Sequence, residues 1–276
     1  MVVEIVVPED ELLQAVEDGE AIVIDEDGVI LSIPPVILDE LISTQDEEDE
    51  LGDLDVSIIV WPPEGRPDLY DIIVFVEWSV TLGDEAVTGT ETNAYFTLTL
   101  DLNDFDVLPE DFNPYFIVAI LEDGTLLGGI FDPETGLFTL ETQIVSDFVI
   151  AYITNLSRLQ LQIRSFDIVE LTTDTVVVEM DVYPVIVDNR TLVPLRFVAN
   201  AMGAEADWVE STRTVILTLG EQTLSFVIGE LAAGMDVPAQ IMNNRTMVPL
   251  RFVSEFFGAV VNWCAQTRTI EIIRKL

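Results

Sequence analysis

The sequence predicts a mainly β protein, with an N-terminal β-sandwich followed by an α+β domain in which antiparallel sheets carry short helices. Three observations support this fold class. Apolar residues alternate with acidic ones in many short segments of the first 150 residues, as in strands with one buried face. Glycine-containing turns separate these segments. A 24-residue block also occurs twice, 55 positions apart and without a gap.

The elements of the N-terminal half follow from these patterns. Helices are expected at Glu9–Val16 and Val36–Ile42, because each segment follows a proline and proline is tolerated where a helix begins. Turns are expected at Asp27-Gly28, Glu64-Gly65, Asp123-Gly124 and Thr135-Gly136. Segments predicted as strands include Val2–Val7, Ala21–Ile24, Val56–Trp61, Ile72–Val80, Ala94–Leu100, Phe116–Leu121, Leu137–Thr142 and Phe148–Ile153.

The repeated block comprises residues 180–203 and 235–258, and 14 of its 24 positions are identical. Each copy predicts a strand, an asparagine turn, a short helix with proline near its first turn, a terminating glycine and two further strands. We place the two repeats at about residues 159–213 and 214–268. The residues that define them are Asn189, Arg190, Pro194, Arg196, Gly203 and Trp208, then Asn244, Arg245, Pro249, Arg251, Gly258 and Trp263.

These defining residues form turns, helix ends and core, so the repetition concerns architecture. The four repeated arginines have two possible roles. They could bind an anionic wall polymer, or they could pair with carboxylates and carbonyls inside the repeat, which we favour.

Residues 158–276 resemble a known family through these motifs. Both copies carry Asn-Arg-Thr, then Val-Pro-Leu-Arg-Phe-Val, then a tryptophan and Thr-Arg-Thr. This pattern is similar to the stalk domain named after the N-terminal domain of copper amine oxidases, which is common on Gram-positive cell surfaces. The resemblance implies a spacer or assembly module and not an oxidase. One departure is Asn200, where the family usually has the glutamate that Glu255 provides in the second copy.

The N-terminal half is similar to a β-rich domain of surface-layer and cell-wall proteins of Firmicutes. The resemblance is carried by residues 6–16, 21–24, 33–38, 115–121, 123–125, 132–136 and 146–148, although the histidine that usually closes the domain is missing. Together the two resemblances imply an extracellular protein at the cell surface. No signal peptide is visible, which leaves either a cytoplasmic protein or a mature secreted chain whose leader has been removed, and the two resemblances favour the secreted chain.

The charge of the chain is strongly negative and uneven. Residues 1–150 contain 37 acidic residues and a single basic one, Arg66, a net charge of −36. Residues 151–276 contain 14 acidic and 10 basic residues, a net charge of −4. This asymmetry predicts two domains, 1–155 and 156–276. Such a field repels nucleic acid and anionic membranes, and no apolar run reaches the roughly 20 residues of a spanning helix, so neither is expected as a partner.

The composition restricts the possible chemistry. The chain has no histidine, which excludes histidine-based catalysis and imidazole-bound copper. Cys264 is the only cysteine, so no intrachain disulfide can form, and a small buried residue is expected there. We therefore expect no enzyme and no cofactor. Calcium is the one ion for which the sequence offers candidate ligands, in the acidic run 46–50 and at Asp101, Asn103, Asp104 and Asp106.

The N-terminal strand Val2–Val7 is expected to be isolated, which suggests how copies could assemble. Its apolar residues Val2, Val3, Ile5, Val6 and Val7 could complete the sheet of a neighbouring subunit, and deleting residues 1–7 is then expected to abolish assembly while folding is retained. We predict a non-enzymatic structural subunit of an extracellular filament or surface layer, polymerised head to tail.

Two alternatives remain open. One is a monomeric stalk that binds a cell-wall polymer. The other is a glycosidase that uses two carboxyl groups, although the aromatic residues are scattered and show no sugar-stacking cluster in the sequence.

Overall fold

A computed structural model describes residues 1–44, 51–62, 71–88, 94–103, 105, 112–264 and 268–276 of the chain. The chain divides into two compact units, Met1–Thr154 and Asn155–Leu276, one residue from the expected boundary. The fold is mainly β with a few short helices, as predicted. The predicted turn at Glu64-Gly65, the acidic run 46–50, Asp104 and Asp106 lie outside the described residues.

In its described residues, the first unit contains antiparallel strands, two α-helices and one 3-10 turn at Pro114–Phe116. Its elements are β1 (Val2–Val7), α1 (Glu9–Asp18), β2 (Ile22–Glu26), β3 (Val29–Ile33), α2 (Pro35–Ser43), β4 (Leu54–Trp61), β5 (Asp71–Leu82), β6 (Glu85–Val87), β7 (Phe96–Asp101), β8 (Ile117–Ile120), β9 (Leu126–Gly128), β10 (Ile130–Asp132), β11 (Leu137–Thr142) and β12 (Phe148–Tyr152).

Two sheets share the core of this unit. One has the order β1-β4-β5-β12-β8-β9, with β6 beside β5, and the other has the order β10-β11-β7-β3-β2. Ile58 and Val76 of the first sheet lie in the same hydrophobic cluster as Leu98 and Phe138 of the second. Alternation of apolar and polar residues gives each strand one face for this cluster, so the sheets form a sandwich. Leu38 of α2 is fully buried in the same core.

The N-terminal strand is not isolated, which corrects an expectation from the sequence. Strand β1 pairs antiparallel with β4, from Val2 opposite Ile59 to Val7 opposite Leu54. Val3 and Val7 are only 2% and 4% exposed and belong to the core. Deleting residues 1–7 would therefore remove core side chains and uncover the edge of β4, so the expectation that folding survives the deletion is withdrawn.

The second unit contains the repeats. Its elements are β13 (Leu156–Gln162), β14 (Asp167–Glu170), β15 (Thr175–Glu179), β16 (Val185–Val187), β17 (Arg190–Pro194), α3 (Leu195–Ala201), β18 (Glu205–Val209), β19 (Thr214–Leu219), β20 (Gln222–Val227), β21 (Gln240–Met242), β22 (Arg245–Pro249), α4 (Leu250–Phe256), β23 (Val260–Cys264) and β24 (Thr269–Lys275).

The two copies face each other across a four-stranded sheet with the order β16-β17-β22-β21. At its centre Val193 lies opposite Val248, the equivalent residue of the other copy. Equivalent positions can pair in this way only if an approximate two-fold axis relates the copies. Helix α3 contacts β22, and α4 contacts β17, so each copy covers a strand of the other.

A five-stranded sheet, β15-β14-β13-β24-β23, joins the beginning of this unit to its end. In the three-stranded sheet β18-β19-β20, strand β20 pairs with β19. In the five-stranded sheet, β13 pairs in the same way with β24, the equivalent of β19 in the second copy. The structural repeat is therefore β16 to β19 and β21 to β24. The expected boundary between residues 213 and 214 falls inside the β18–β19 hairpin.

The local features of the repeat match the expected turn and helix chemistry. Asp188 and Asn189 have φ of 48° and 59°, and Asn243 and Asn244 have φ of 49° and 61°. Two successive left-handed residues make the two-residue hairpin turn that suits the twist of paired strands, and asparagine tolerates this conformation. The proline of each copy ends a strand, and the helix begins one residue later, at Leu195 or Leu250.

Each repeat helix ends before a glycine in the left-handed region, Gly203 with φ 78° or Gly258 with φ 73°. Glycine adopts this conformation without the steric cost that a Cβ atom would bring. Both glycines are thus helix terminators, as the sequence predicts.

Candidate functional site: two grooves and two sheet edges

Two ion pairs tie the copies of the repeat together. The Arg190 Nε lies 2.7 Å from Asp236 Oδ2, and the Arg245 Nε lies 3.0 Å from both carboxylate oxygens of Asp181. Asp181 and Asp236 are the second residues of the two repeated blocks. Each arginine therefore reaches the aspartate of the other copy, which supports the structural role favoured for these two arginines.

The Asp181 carboxyl provides a test of this pairing. Hydrogen bonding from Arg245 lowers its pKa below the ordinary value, so the pair persists above the unfolded pKa of aspartate and is lost as the pH falls through the folded one. We expect Arg245→Met to raise the pKa of Asp181, measured by NMR titration of its carboxyl carbon. The matched variant Arg190→Met should leave the pKa of Asp181 unchanged. An unchanged pKa of Asp181 in Arg245→Met would contradict the pairing.

The equivalent arginines at the helices differ between the copies. The Arg251 Nε lies 3.4 Å from Glu255 Oε1, and a second guanidinium nitrogen donates to the Val261 carbonyl at 3.2 Å. In the first copy Asn200 stands at the position of Glu255. Arg196 is exposed, and no described residue offers it an ion-pair or hydrogen-bond partner.

Arg196 lines a groove of about 420 Å³ that we call the Trp208 groove. The Trp208 side chain is 44% exposed, and its Nε1 donates to Glu210 Oε2 at 3.3 Å, which restrains the ring. The lining residues are Pro194, Leu195, Arg196, Phe197, Ala206, Asp207, Trp208, Val215, Ile241, Asn244, Arg245 and Thr246. The groove thus combines an apolar floor, an accessible aromatic face and an unpaired cation.

A second groove of about 380 Å³, the Tyr183 groove, shares Asn244 and Arg245 with the first. Phe166 and Tyr183 line it as an edge-to-face pair with ring centroids 5.5 Å apart, and both rings are exposed. Sequence analysis missed this cluster because its aromatic residues are dispersed along the chain. The β17–β22 pairing brings the turn at Asn244 close to residues of the first copy and could not be inferred from spacing.

Several strands end the order of their sheet and carry exposed apolar residues, Val23 on β2 among them, and β1 and β15 carry two exposed valines each. Strand β1 ends the order of its sheet, and Val2 and Val6 are each 56% exposed. Strand β15 ends the order of its own sheet, and Val176 and Val177 are 59% and 45% exposed. In the described part of the chain, no strand pairs with the outer edge of either. Exposed apolar edges of this kind are templates for pairing with another chain.

The described calcium candidates have a structural role. The Asp101 carboxylate accepts bonds from the Asn103 backbone and side-chain nitrogens at 2.9 and 2.8 Å. The Asn103 amide also donates to the Thr135 carbonyl at 2.8 Å and fills the space beside Gly136. No three His, Cys, Asp or Glu residues come together as a possible metal site among the residues whose structure is described. Calcium binding at Asp101 and Asn103 stays a prediction.

A charged pair is buried in the second unit. Arg158 on β13 is 1% exposed, and its guanidinium lies 3.3 Å from the Glu271 carboxylate on β24. Burial raises the pKa of Glu271, and Arg158 opposes this shift in part. Because the pair is inaccessible and joins the first and last strands of the unit, it contributes to the fold and not to a surface site.

The repeated region is similar to a known protein domain. Residues 172–272 match the copper amine oxidase N-terminal domain. That domain is a non-catalytic accessory part of the oxidases. The match covers the repeated region and does not extend to the first unit, for which the resemblance to surface-layer domains stays a prediction. No curated protein and no solved structure matches the chain.

The family name does not bring a copper site to this chain. The chain contains no histidine and one cysteine, Cys264, on β23. A copper site built from imidazole ligands therefore cannot form in this chain. No helix among the described residues is long and apolar enough to cross a membrane.

Proposed function

We propose that this chain is a non-enzymatic structural subunit of an extracellular assembly, in which copies join head to tail through their sheet edges. The observation that carries the proposal is that β1 in the first unit and β15 in the second each have an open edge and two exposed valines. Addition of one edge to another satisfies backbone hydrogen-bonding groups and covers the exposed valines. In this arrangement β1 stays paired with β4 of its own chain, and its outer edge pairs with a strand of the next copy.

Charge favours the unlike contact. Two first units would each bring a net charge of −36 to a shared interface, whereas the second unit carries −4. A contact between β1 of one copy and β15 of the next avoids the strongest repulsion. Since the two edges differ, such a contact is heterologous and propagates instead of closing as a dimer. High salt should promote assembly because it screens the remaining repulsion.

Aspartate at either edge is expected to block this assembly. Val6→Asp places a charge on β1, and Val176→Asp places one on β15. Each variant should remain monomeric in light scattering at high salt, where the unmodified chain polymerises. Val36→Asp is the matched control, because Val36 is 56% exposed on helix α2 and not on a sheet edge, and it should polymerise normally.

Mixing the two variants tests the head-to-tail arrangement. Val6→Asp retains an intact β15 edge and Val176→Asp retains an intact β1 edge, so an equimolar mixture should form a dimer that cannot grow. Monomers in the mixture, or polymerisation of either variant alone, would contradict the proposal.

The glycosidase alternative gains no support from the grooves. Hydrolysis with two carboxyl groups needs both at one cleft. Of the described residues that line the Trp208 groove, only Asp207 carries a carboxyl group. In the Tyr183 groove it is only Asp181, which Arg245 engages.

A further inference from the structure

We infer that the Trp208 groove binds a carboxylated sugar, with the Arg196 guanidinium holding the carboxylate and the Trp208 ring contacting the face of the pyranose. This inference does not depend on the assembly proposal, because the groove lies within one unit. It rests on a comparison of the two copies of the repeat inside the same molecule.

In the second copy, the arginine of the repeat helix has an ion-pair partner on the same helix. There the Glu255 carboxylate lies 3.4 Å from Arg251, one helical turn away on α4. In the first copy the amide of Asn200 replaces that carboxylate, and Arg196 lines the groove without a partner among the described residues. The substitution removes an internal anion and leaves a site for an external one. Charged hydrogen bonds from arginine to a carboxylate are among the strongest polar contacts in proteins.

The tryptophan of the first copy is also more accessible than that of the second. Trp263 of the second copy is half-buried and packs against the hydrophobic core. Trp208 of the first copy is 44% exposed, and its ring forms part of the groove beside Ile241. An exposed indole presents a flat apolar face, and the hydrogen bond from Nε1 to Glu210 restrains it.

These features select the class of ligand. The aromatic face suits the apolar face of a pyranose ring, and the oxygens and nitrogens of Asp207 and Asn244 can bond its hydroxyl groups. Arg196 adds a preference for a ring that carries a carboxylate. Nucleic acid is disfavoured, because its binding depends on several phosphate contacts, whereas Arg196 is the one cation of the groove lining that has no partner among the described residues. One uronic-acid residue of an oligosaccharide offers a pyranose face to Trp208 and a carboxylate to Arg196.

The test is calorimetric titration of the monomeric chain with tetragalacturonate and with its methyl ester, which is the same sugar without the negative charges. We expect tetragalacturonate to bind and to quench tryptophan fluorescence, and the ester to bind at least about tenfold more weakly. Equal binding of the ester, or no binding of tetragalacturonate at millimolar concentration, would overturn the inference. Tighter binding of a glycerol phosphate oligomer would overturn the assignment to a carboxylate.

Four variants locate the site. Arg196→Gln and Trp208→Ala should each weaken tetragalacturonate binding by about tenfold or more. Asn200→Glu should weaken it similarly, because it restores the internal partner of the arginine as in the second copy. Arg251→Gln is the matched control and should bind normally. Unchanged binding in Asn200→Glu and Arg196→Gln, with melting temperatures equal to that of the unmodified chain, would rule out this groove.

Discussion

Replacing Arg158 with methionine is expected to destabilise the second unit by about 3–5 kcal/mol, because the variant leaves the Glu271 carboxylate buried without its cation. Arg158 is 1% exposed, so water cannot replace the lost contact without opening the sheet between β13 and β24. Denaturant unfolding followed by circular dichroism measures the change. A loss below about 1 kcal/mol would show that the pair is hydrated and not buried.

The pH dependence of this variant has a definite sign. Burial already raises the pKa of Glu271, and removing Arg158 takes away the contact that opposes the shift. A carboxyl whose folded pKa exceeds its unfolded value contributes stability below the unfolded pKa and loses it as the pH rises through the folded pKa. The loss caused by Arg158→Met should therefore be larger at pH 7 than at pH 4. The opposite trend would contradict a desolvated carboxyl.

A double variant serves as the control for this prediction. Arg158→Met combined with Glu271→Leu removes both charges and fills the space with apolar atoms. Its stability should return to within about 1–2 kcal/mol of the unmodified chain or exceed it, since replacing a whole buried pair is often neutral or favourable. A double variant that remains as unstable as the single one would indicate that the methionine fits poorly and that charge is not the cause.

Val3→Asp is expected to destabilise the first unit by about 3–5 kcal/mol, because a carboxyl group would replace an apolar side chain in the core. Val3 is 2% exposed on the inner face of β1. Since Val3 belongs to the core, strand β1 is part of the folded unit. Thermal and denaturant unfolding of the first unit would measure the destabilisation.

The matched control lies on the same strand. Val6→Asp introduces the same side chain at a position that is 56% exposed, so the loss should not exceed about 1 kcal/mol. Equal losses in the two variants would contradict the burial of one face of β1. Because Val6→Asp stays folded, its effect on polymerisation can be attributed to the strand edge.

Much of the fold could be predicted because the local patterns agree with the tertiary structure. Period-two alternation located Val2–Val7 and Leu137–Thr142 without error, and the prolines located both helices of the first unit. Strand β3 was missed, although Asp27 and Gly28 have φ of 47° and 79° and form the two-residue turn of a hairpin. The apolar segment after that turn was the sequence feature from which β3 could have been predicted.

The arrangement of the elements was less accessible. The sequence shows that the repeat occurs twice, but it does not show that Val193 would pair with Val248 or that each arginine would reach the aspartate of the other copy. Such contacts depend on the approximate two-fold arrangement, which no local pattern encodes. The Trp208 groove was missed for the same reason, although the change from Glu255 to Asn200 was visible in the sequence and marks the copy with the open groove.

Electron cryomicroscopy of the purified chain at high salt tests the central proposal most directly. We expect fibres in which β1 of one copy runs beside β15 of the next, about 4.8 Å away, so that one sheet continues between subunits. Closed dimers, single particles at every salt concentration, or polymers in which both edges remain uncovered would contradict it.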